Sequence, residues 1–533
     1  MERSQTRRNT TDMIRTKYSL LILVLTLILT VSGCASLPDN SNRTTSFVIA
    51  DAHKTTLGKN VQEFRNRGVK QDGFILLDNG LDAFVARVAL AEAAEKSLDV
   101  QYYLYHNDLV GGLFTATLLK AADRGVRIRL LLDDMDMGDR DLGVLAIDNH
   151  PNVEVRIFNP FDRSLRRMPQ FITGLGSITR RMHNKSFTAD NVATILGGRN
   201  IGNEYFDANP TLKFSDLDVL AIGDVVRNVS SSFDLYWNSD LAYPATTLIT
   251  ERLTEKDALA LRNRIHAFFD EQQESEYVKA LGASRLANNI RENKVEYFYG
   301  NAVIVVDHPD KISSSRDANE LHLASQLGPY FQNIKKELVI ISPYFVPGDE
   351  GVEFFKTLID KGVDVHILTN SLSSNDVSIV HSGYSNYRKA LLQLGVKLYE
   401  INKKLTREQR NDKEGLGGSS KASLHAKAFV LDREKIFIGS LNLDPRSFYE
   451  NTEIGLVLDS QEVAGIMATS LVAGEGRYAF RLELRTDEDG YEQILWHGYE
   501  NGEPVTFDVD PYTSFWQRLG VNIMSWLPIE SQL

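Results

Sequence analysis

The sequence predicts an α/β protein in which one domain occurs twice. Short β-branched runs, such as residues 126–132 and 339–342, alternate along the chain with helical patterns, which is typical of a mixed sheet flanked by helices. A polar motif also occurs twice, beginning at His183 and at His425. A repeat of this kind predicts two similar halves, and we expect a pseudo-two-fold axis to relate them.

The two motifs match residue by residue with a constant separation along the chain. The matched residues are His183, Lys185, Asp190 and Asn200 in the first copy, and His425, Lys427, Asp432 and Asn442 in the second. Upstream of each motif the repeat continues with small gaps, and residues 98–104, 123–132 and 153–158 parallel residues 338–344, 360–368 and 396–399. Duplication alone would preserve apolar core positions, so a retained polar set indicates a function.

The repeat and the composition between its copies predict six parts. Residues 246–299 are charged and helical in period, and the stretch after residue 480 suggests short strands with a turn at Asn501-Gly502. The predicted parts are a signal peptide at 1–33, a tether and N-terminal segment at 34–74, a first domain at 75–245, a helical connector at 246–299, a second domain at 300–480 and a C-terminal tail at 481–533.

Charge argues against one class of partner. The chain has 533 residues and a formal net charge of -12; residues 1–33 hold five basic and two acidic side chains, so the remainder carries -15. General nucleic-acid binding needs Lys and Arg to neutralise phosphates, so we expect no nucleic-acid partner. A local basic pocket for a smaller anion remains compatible with this charge.

The N-terminus has the pattern of an export signal. Arg15 and Lys17 precede an apolar run, residues 20–29, which is too short to span a membrane comfortably. Val31-Ser-Gly-Cys34 follows and resembles a bacterial lipobox, in which the Cys becomes the lipidated first residue of the exported protein. Cys34 is the sole cysteine, so no intramolecular disulfide can form. A plain signal peptide with an incidental Cys is the alternative.

The lipobox resemblance implies a location. The protein would be lipid-anchored at Cys34 on the periplasmic side of a bacterial cell envelope, and Ala35 after it suggests sorting to the outer membrane. Residues 36–45 are rich in Ser, Asn, Asp and Thr and predict a flexible tether. We expect a monomer.

The repeated residues suit phosphodiester chemistry. In a strand the Lys two residues after each His points to the same side, so each copy offers a titrating nitrogen and a cation for an anionic substrate. Two copies brought together provide one imidazole to attack phosphorus and a second to protonate the leaving oxygen. Lys and Asn pairs would stabilise the phosphoryl oxygens, and the scheme calls for no metal or cofactor.

The motifs resemble the two HKD signatures of the phospholipase D superfamily, and the resemblance covers most of residues 75–480. Gly439-Ser440-Leu-Asn442 resembles the family's Gly-Ser-x-Asn segment, whereas Gly198 lacks that hydroxyl in the first copy. Residues 444–447 and 451–453, together with the lipoprotein start, are similar to the cardiolipin synthase C-like lipoproteins. The resemblance implies duplicated phospholipase D-like domains, each a mixed sheet flanked by helices.

The same resemblance implies roles for individual residues. His183 would be the nucleophile and His425 the acid and base, with Ser440 supporting the phosphate site. Glu453 and a first-half counterpart, for which we take Asp218, would hold the two imidazoles in position. The HKD resemblance also places Asp190 and Asp432 among the catalytic residues.

The implied reaction moves a phosphatidyl group from one phospholipid to an alcohol. We expect phosphatidylglycerol as the acceptor, giving cardiolipin, with phosphatidylethanolamine as a second candidate substrate. Hydrolysis to phosphatidic acid is the alternative within the same chemistry. A phospholipase D-family nuclease and a non-catalytic membrane scaffold are alternatives of other classes.

Two further features each allow two interpretations. A basic cluster precedes the first motif and is either a solvated loop or a mouth that captures lipid phosphates; its members are Arg163, Arg166, Arg167, Arg180 and Arg181. Trp516 and Trp526 in the tail are either part of a small core, which we favour, or side chains that insert at a membrane interface.

Overall fold

The computed structural model describes residues 37–526, apart from 67, 139, 164–177, 210–211, 376, 404–420, 474–478 and 501. Cys34, the expected signal peptide, Arg166, Arg167 and Asn501 lie outside the described residues. Within the described ranges no helix is long and apolar enough to cross a membrane.

Twenty strands run through the described chain. They are β1 Asp72–Leu77, β2 Ser97–Tyr102, β3 Arg127–Asp133, β4 Val153–Phe158, β5 Ser186–Ala189, β6 Ala193–Gly197, β7 Leu212–Ser215, β8 Asp218–Ile222, β9 Ala242–Pro244, β10 Phe298–Val306, β11 Glu337–Ile341, β12 Asp364–Thr369, β13 Lys397–Ile401, β14 Lys421–Leu424, β15 Ala428–Leu431, β16 Lys435–Gly439, β17 Ile454–Asp459, β18 Ala479–Thr486, β19 Glu492–Glu500 and β20 Glu503–Phe507.

The α-helices of the described chain precede, separate and follow these strands. They are α1 Thr56–Asn66, α2 Gly80–Ala93, α3 Leu109–Asp123, α4 Asp141–Asp148, α5 Val225–Trp237, α6 Ala245–Leu248, α7 Glu255–Gln272, α8 Glu276–Ala283, α9 Arg285–Arg291, α10 Leu323–Gln332, α11 Gly348–Asp360, α12 Ser378–Ser385, α13 Arg388–Leu394, α14 Pro445–Tyr449, α15 Gln461–Ala473 and α16 Phe515–Met524.

The strand order confirms the predicted duplication. The first half pairs its strands in the order β9-β4-β3-β2-β5-β6-β8-β1. The second half repeats this order as β18-β13-β12-β11-β15-β16-β17-β10. Strands β1 and β10 then pair antiparallel with each other and join the halves into one mixed sheet. The expected α/β fold is therefore present in both copies.

Each half places its motif at the same edge of its sheet. Strands β2, β3 and β4 run parallel, so their carboxyl ends share one edge. Strand β5 enters antiparallel to β2, with Ser186 opposite Gln101, so the residues just before β5 lie at that edge. In the second half β15 enters beside β11 in the same way, with Ala428 opposite Ile341. Both His-x-Lys segments thus precede a strand at the carboxyl edge.

The two halves share a core and exchange backbone pairs. A cluster of buried side chains contains Leu196 and Val219 from the first half and Ile438 and Leu456 from the second. Next to the motifs, β7 pairs in parallel with β14, and Met182 bridges to Thr452. Because burial of this apolar surface stabilises the interface, the halves hold each other in a fixed orientation.

Some predictions for the flanking segments are confirmed and others are wrong. Residues 251–293 contain α7, α8 and α9, as the helical period indicated. The tail strands β18 to β20 are present and extend the second sheet from β13. The prediction of a flexible tether is wrong from residue 37 onward. Asn40 is buried, and its side chain donates to the carbonyl oxygens of Asp240 and Ala242.

Candidate active site

The first imidazole is held by a carboxylate from the other half of the chain. His183 Nδ1 lies 2.8 and 3.0 Å from the two oxygens of Glu453. Its backbone N–H donates to the carbonyl oxygen of Thr452, the residue before Glu453. An Nδ1–H bound to a carboxylate leaves Nε2 with its lone pair, which is the tautomer that a nucleophile or base requires. The expected pairing of Glu453 with a motif histidine is present in the structure.

The second imidazole has the reciprocal arrangement. His425 Nδ1 lies 2.5 Å from Oδ2 of Asp216, a residue of the first half. The backbone N–H of His425 donates to the carbonyl oxygen of Ser215, immediately before Asp216. Each half therefore supplies one imidazole and the carboxylate that orients the other, so neither half has a complete site alone.

The choice of Asp218 as the counterpart of Glu453 is wrong. In the sheet register Gly197 lies opposite Asp218, whereas its repeat equivalent Gly439 lies opposite Gly455. The acid two residues ahead of that position is Asp216 in the first half and Glu453 in the second. Asp218 instead forms a buried ion pair with Arg87, with Nη2 and Oδ2 2.8 Å apart.

The two lysines lie beside their histidines, as the spacing predicted. Lys185 Nζ donates to the carbonyl oxygen of His183 at 2.5 Å, and Lys427 Nζ lies 2.8 and 3.1 Å from the ring nitrogens of His425. Both lysines are buried. Their segments precede β5 and β15 and are not part of the strands, so the expected strand geometry applies only after Ser186 and Ala428.

The motif aspartates lie away from the imidazoles, at the far ends of β5 and β15. Asp190 accepts the backbone N–H groups of Glu95, Lys96 and Ser97. Asp432 has the same contacts with residues 335–337. Both aspartates have a positive φ, 50° and 55°, which a turn tolerates best in Asp or Asn. In this structure the two aspartates fix the turn after each motif strand. The sequence suggested a catalytic role for them, and these contacts are structural instead.

The supporting residues differ between the halves. Ser440 Oγ donates to Glu453 and accepts the backbone N–H of Ile454, so it orients the carboxylate that holds His183. In the first half a Cβ on Gly198 would lie 2.2 Å from Asp216 Oδ1. The absence of a side chain at Gly198 thus leaves room for the carboxylate of Asp216, whose side chain is shorter than that of Glu453.

The two asparagines also have different surroundings. Asn200 Oδ1 accepts the backbone N–H of Leu104, and its Nδ2 donates to the Tyr205 hydroxyl, so both ends of the amide are engaged. Asn442 is buried, and its Oδ1 has no hydrogen-bond partner among the described residues. Buried polar atoms are normally paired, so Asn442 Oδ1 is an acceptor open to a further donor.

The arginines of the basic cluster are neutralised where the structure describes them. Arg163 pairs with Asp134 and Asp141, Arg180 with Glu450, and Arg181 with Asp133. Both interpretations, a solvated loop and a mouth that captures lipid phosphates, are therefore wrong for these three side chains. Their ion pairs hold loops together.

The site has buried groups that sequence reasoning missed. Asp307 accepts the backbone N–H of Glu453 at 2.7 Å and pairs with Lys311 at 3.0 Å, so it positions the carboxylate that holds His183. The Tyr103 ring lies edge-on to His183, with the centroids 4.9 Å apart. Tyr103 follows β2 directly, and its position after a predicted strand was the available signal.

The two imidazole–carboxylate pairs differ in their electrostatics. Burial, and then the charge on Lys185, lowers the pKa of His183 well below its usual value. Burial raises the pKa of Glu453 to about 7. Burial opposes ionisation of Asp216 as well, but His425 and Lys427 more than offset it and lower the pKa of that carboxyl. The lowered pKa favours the neutral imidazole at His183, and the lowered pKa of Asp216 keeps that carboxylate charged beside His425.

We expect a bell-shaped pH dependence with its maximum near neutrality. Burial lowers the pKa of Lys185 to about 7, so its charge is lost as the pH rises, whereas Glu453 loses its charge as the pH falls through about 7. A pH profile of kcat/KM checks both limbs, since this ratio reports the free enzyme. Lys185→Arg keeps a cation at every pH, so its alkaline limb should move to higher pH; an unchanged alkaline limb would contradict the assignment.

Comparison with known proteins gives the family. The family model described as "Cardiolipin synthase, PLD-like domain" matches residues 88–237 and again residues 329–471. The chain belongs to this family. The two matched segments contain the two motifs and the orienting acids, so the duplicated cardiolipin synthase domain is the unit whose two copies build the site.

Relatives of this cardiolipin synthase family extend the match over most of the chain. Cardiolipin synthase C of Escherichia coli (strain K12) is 40% identical over 463 residues, which cover 86% of this chain and 96% of that protein. A cardiolipin synthase of Geobacillus kaustophilus (strain HTA426) is 27% identical over 387 residues, covering 72% of this chain and 62% of the relative. The chain is therefore a phospholipase D-type phosphatidyltransferase that acts on phospholipids.

A solved structure gives the same fold. Phosphatidylserine synthase of Haemophilus influenzae Rd KW20 superimposes with a TM-score of 0.52 at 14% identity, covering 80% of this chain and 92% of that one. At this identity the match shows a shared fold and no more.

Proposed function

We propose that the enzyme makes cardiolipin by moving the phosphatidyl group of one phospholipid to a hydroxyl of phosphatidylglycerol. The observation that carries this proposal is the crossed pair of imidazoles, His183 on Glu453 and His425 on Asp216. A double displacement needs two imidazoles with different protonation states in one buried site. The carboxylates that hold these imidazoles have pKa values shifted in opposite directions, which supports such a difference.

In the first step Nε2 of neutral His183 attacks phosphorus, and the bond to the head-group alcohol breaks. The imidazolium of His425 gives its proton to the departing oxygen. In the second step His425 takes the proton of the acceptor hydroxyl, whose oxygen attacks phosphorus and releases His183. The products are cardiolipin and a free head-group alcohol.

The phosphoryl oxygens need cations and donors that water does not displace. Lys185 and Lys427 are buried beside the imidazoles, and the Asn442 amide is buried next to β16. In a site of low dielectric these groups stabilise developing charge far better than they would in water. They support the roles that the motif spacing assigned to them.

The acceptor is tested by supplying defined lipids. We would incubate detergent-solubilised protein with phosphatidylglycerol, with and without phosphatidylethanolamine, and resolve the products by mass spectrometry. Cardiolipin is the expected product. Phosphatidic acid alone would show that water takes the acceptor position and would overturn the synthase proposal.

We further propose that the enzyme works at a membrane surface, held by a lipid on Cys34 at the periplasmic side. A feature of the described tail supports contact with a bilayer. Helix α16 buries Val521 against the protein, whereas Trp516 is 75% exposed and Trp526, just after the helix, is 83% exposed. The interpretation of these two side chains as a small core is therefore wrong. Amphipathic aromatic side chains of this kind favour the interfacial layer.

Helix α16 lies on the catalytic side of the second half. It packs against α12, which follows the loop after β12. In that loop the Asn370 side chain bonds both backbone groups of Leu424, the residue before His425. A membrane in contact with α16 would therefore lie on the side from which lipids approach the site.

Replacing both tryptophans should weaken membrane binding. For protein expressed without residues 1–34, we expect Trp516→Ser with Trp526→Ser to lower binding to phosphatidylglycerol vesicles by about tenfold or more, because each exposed indole loses its burial in lipid. Sedimentation with vesicles measures this. Tyr491→Ser, at another exposed aromatic of the tail, is the control. Equal binding of the double variant and the wild type would remove α16 from the proposal.

A further inference from the structure

A large apolar cavity lies under the helices of the first half. Its volume is about 790 Å³. Leu130 and Val155 of the sheet form its floor, Leu119 of α3 and Ala146 of α4 form its sides, and Ile265 and Phe268 of α7 cover it. Protein interiors hold few voids larger than a water molecule, so a space of this size and lining is typical of a ligand pocket.

The covering helix is fitted closely to the cavity wall. A Cβ on Gly112 of α3 would lie 2.6 Å from Cε1 of Phe268. Gly112 thus lets the Phe268 ring approach α3 and close the cavity over its aliphatic floor. The connector helix between the two domains is therefore part of the cavity and does more than join them.

Arg264 and Gln272 of α7 line the cavity too, and a charged cluster forms one part of its wall. There His106 lies between Asp136 and Glu204, at 2.8 and 3.0 Å from their carboxylates. Arg140 pairs with the same Asp136 at 3.1 Å. The Tyr105 hydroxyl is bonded to Thr115 at 2.7 Å. A polar rim and a long apolar interior fit an amphiphile that enters with its chain first.

This rim is adjacent to the catalytic imidazole along the chain and in space. Tyr103 contacts His183, Leu104 donates to Asn200, and Tyr105 lies at the cavity. A short run of chain thus connects the imidazole that would bind the phosphate to the rim of the cavity.

We propose that this cavity binds an acyl chain of a phospholipid substrate while the phosphate of that lipid lies between His183 and His425. The inference rests on the proposed function and names the part of the substrate that the first half selects. Burial of the chain in the cavity draws the lipid partly out of the bilayer. The apolar side chains of α3, α4 and α7 that line the cavity then determine which acyl-chain lengths fit.

Chain-length dependence tests this with a matched pair of variants. A Cβ on Gly143 of α4, at the cavity wall, or on Gly465 of α15, remote from the cavity, would meet no atom within 4 Å. Gly143→Phe therefore reduces the cavity, and Gly465→Phe is the control. Ala146→Leu is a second variant, which narrows the cavity from a buried position.

We would measure kcat/KM for phosphatidylglycerols of increasing acyl length in mixed micelles. For the wild type and Gly465→Phe we expect a rise of about fourfold per methylene until the cavity is full. Gly143→Phe and Ala146→Leu should lose most of this rise, so the ratio of kcat/KM between long and short lipids should fall. A parallel fall at every length, or an unchanged series, would overturn the proposal, because a structural defect does not depend on chain length.

A second measurement works even if the enzyme makes no cardiolipin. Phosphatidylglycerol with a diazirine at the end of one acyl chain is irradiated with the wild-type protein, and the labelled peptides are mapped by mass spectrometry. Labels on α3, α4 and α7 are expected. Labels only elsewhere would overturn the cavity proposal, whereas labelled α3, α4 and α7 without product would overturn the proposed function alone.

Discussion

Replacing His183 or His425 with Ala is expected to lower phosphatidyl transfer by about 10⁴-fold or more, because each variant removes one of two imidazoles that act in the same reaction. The double variant should be no worse than the poorer single one, since residues that act as a unit are strongly non-additive. Initial rates with phosphatidylglycerol vesicles measure the effect.

A control separates chemistry from folding. His366 is buried on β12, with Nε2 3.1 Å from Asp364, and lies outside the site. His366→Ala should keep activity within a few-fold of the wild type. If His183→Ala or His425→Ala retained comparable activity, the composite site would be contradicted.

The second large effect concerns Asp216. We expect Asp216→Asn to lower kcat by about 10³- to 10⁴-fold while the melting temperature changes little. The amide keeps the shape of the side chain but removes the charge that holds His425 as an imidazolium, and loss of such an orienting carboxylate has large kinetic effects in other enzymes. Steady-state kinetics and thermal unfolding together measure the two quantities.

Asp218→Asn is the matched comparison, two residues away and equally buried. Asp218 pairs with Arg87 and Arg199, so its neutralisation leaves two buried guanidinium groups without their counter-charge. We expect a loss of about 3 kcal/mol or more in the free energy of unfolding, with kcat per folded molecule much less affected than in Asp216→Asn. The reverse outcome would restore Asp218 as the orienting acid.

These two aspartates illustrate what the sequence could predict. Residues that keep a constant separation, such as His183 and Lys185 with His425 and Lys427, could be predicted because the repeat needs no structure to be seen, and the structure places each lysine beside its histidine. Asp216 was missed because the first half has extra residues between Asn200 and its orienting acid. Only the strand register, which pairs Gly197 with Asp218 and Gly439 with Gly455, restores the correspondence.

The motif aspartates show a different kind of limit. Asp190 and Asp432 repeat as faithfully as the histidines, but they repeat because both turns need a side chain that accepts backbone N–H groups at positive φ. A repeated polar residue can thus mark a repeated turn. Sequence spacing does not distinguish this from chemistry, since the distance across β5 appears only in three dimensions.

Tertiary burial likewise decided what the local pattern could not. Asn40 lies in a segment whose composition is typical of a free tether, but the first half buries it through hydrogen bonds to residues about 200 positions away. Trp516 and Trp526 are of a residue type that is common in protein cores, but both side chains are exposed. In both cases the deciding contacts are long-range.

The central claim is that both halves form one site in which His183 carries the phosphatidyl group. We would mix each His variant with a phosphatidyl ester of p-nitrophenol, whose departure needs no proton donor, quench at alkaline pH and map the adduct by mass spectrometry. His425→Ala should carry the phosphatidyl group on His183, because release requires His425, and His183→Ala should carry none. An adduct on His425 in His183→Ala would contradict the account.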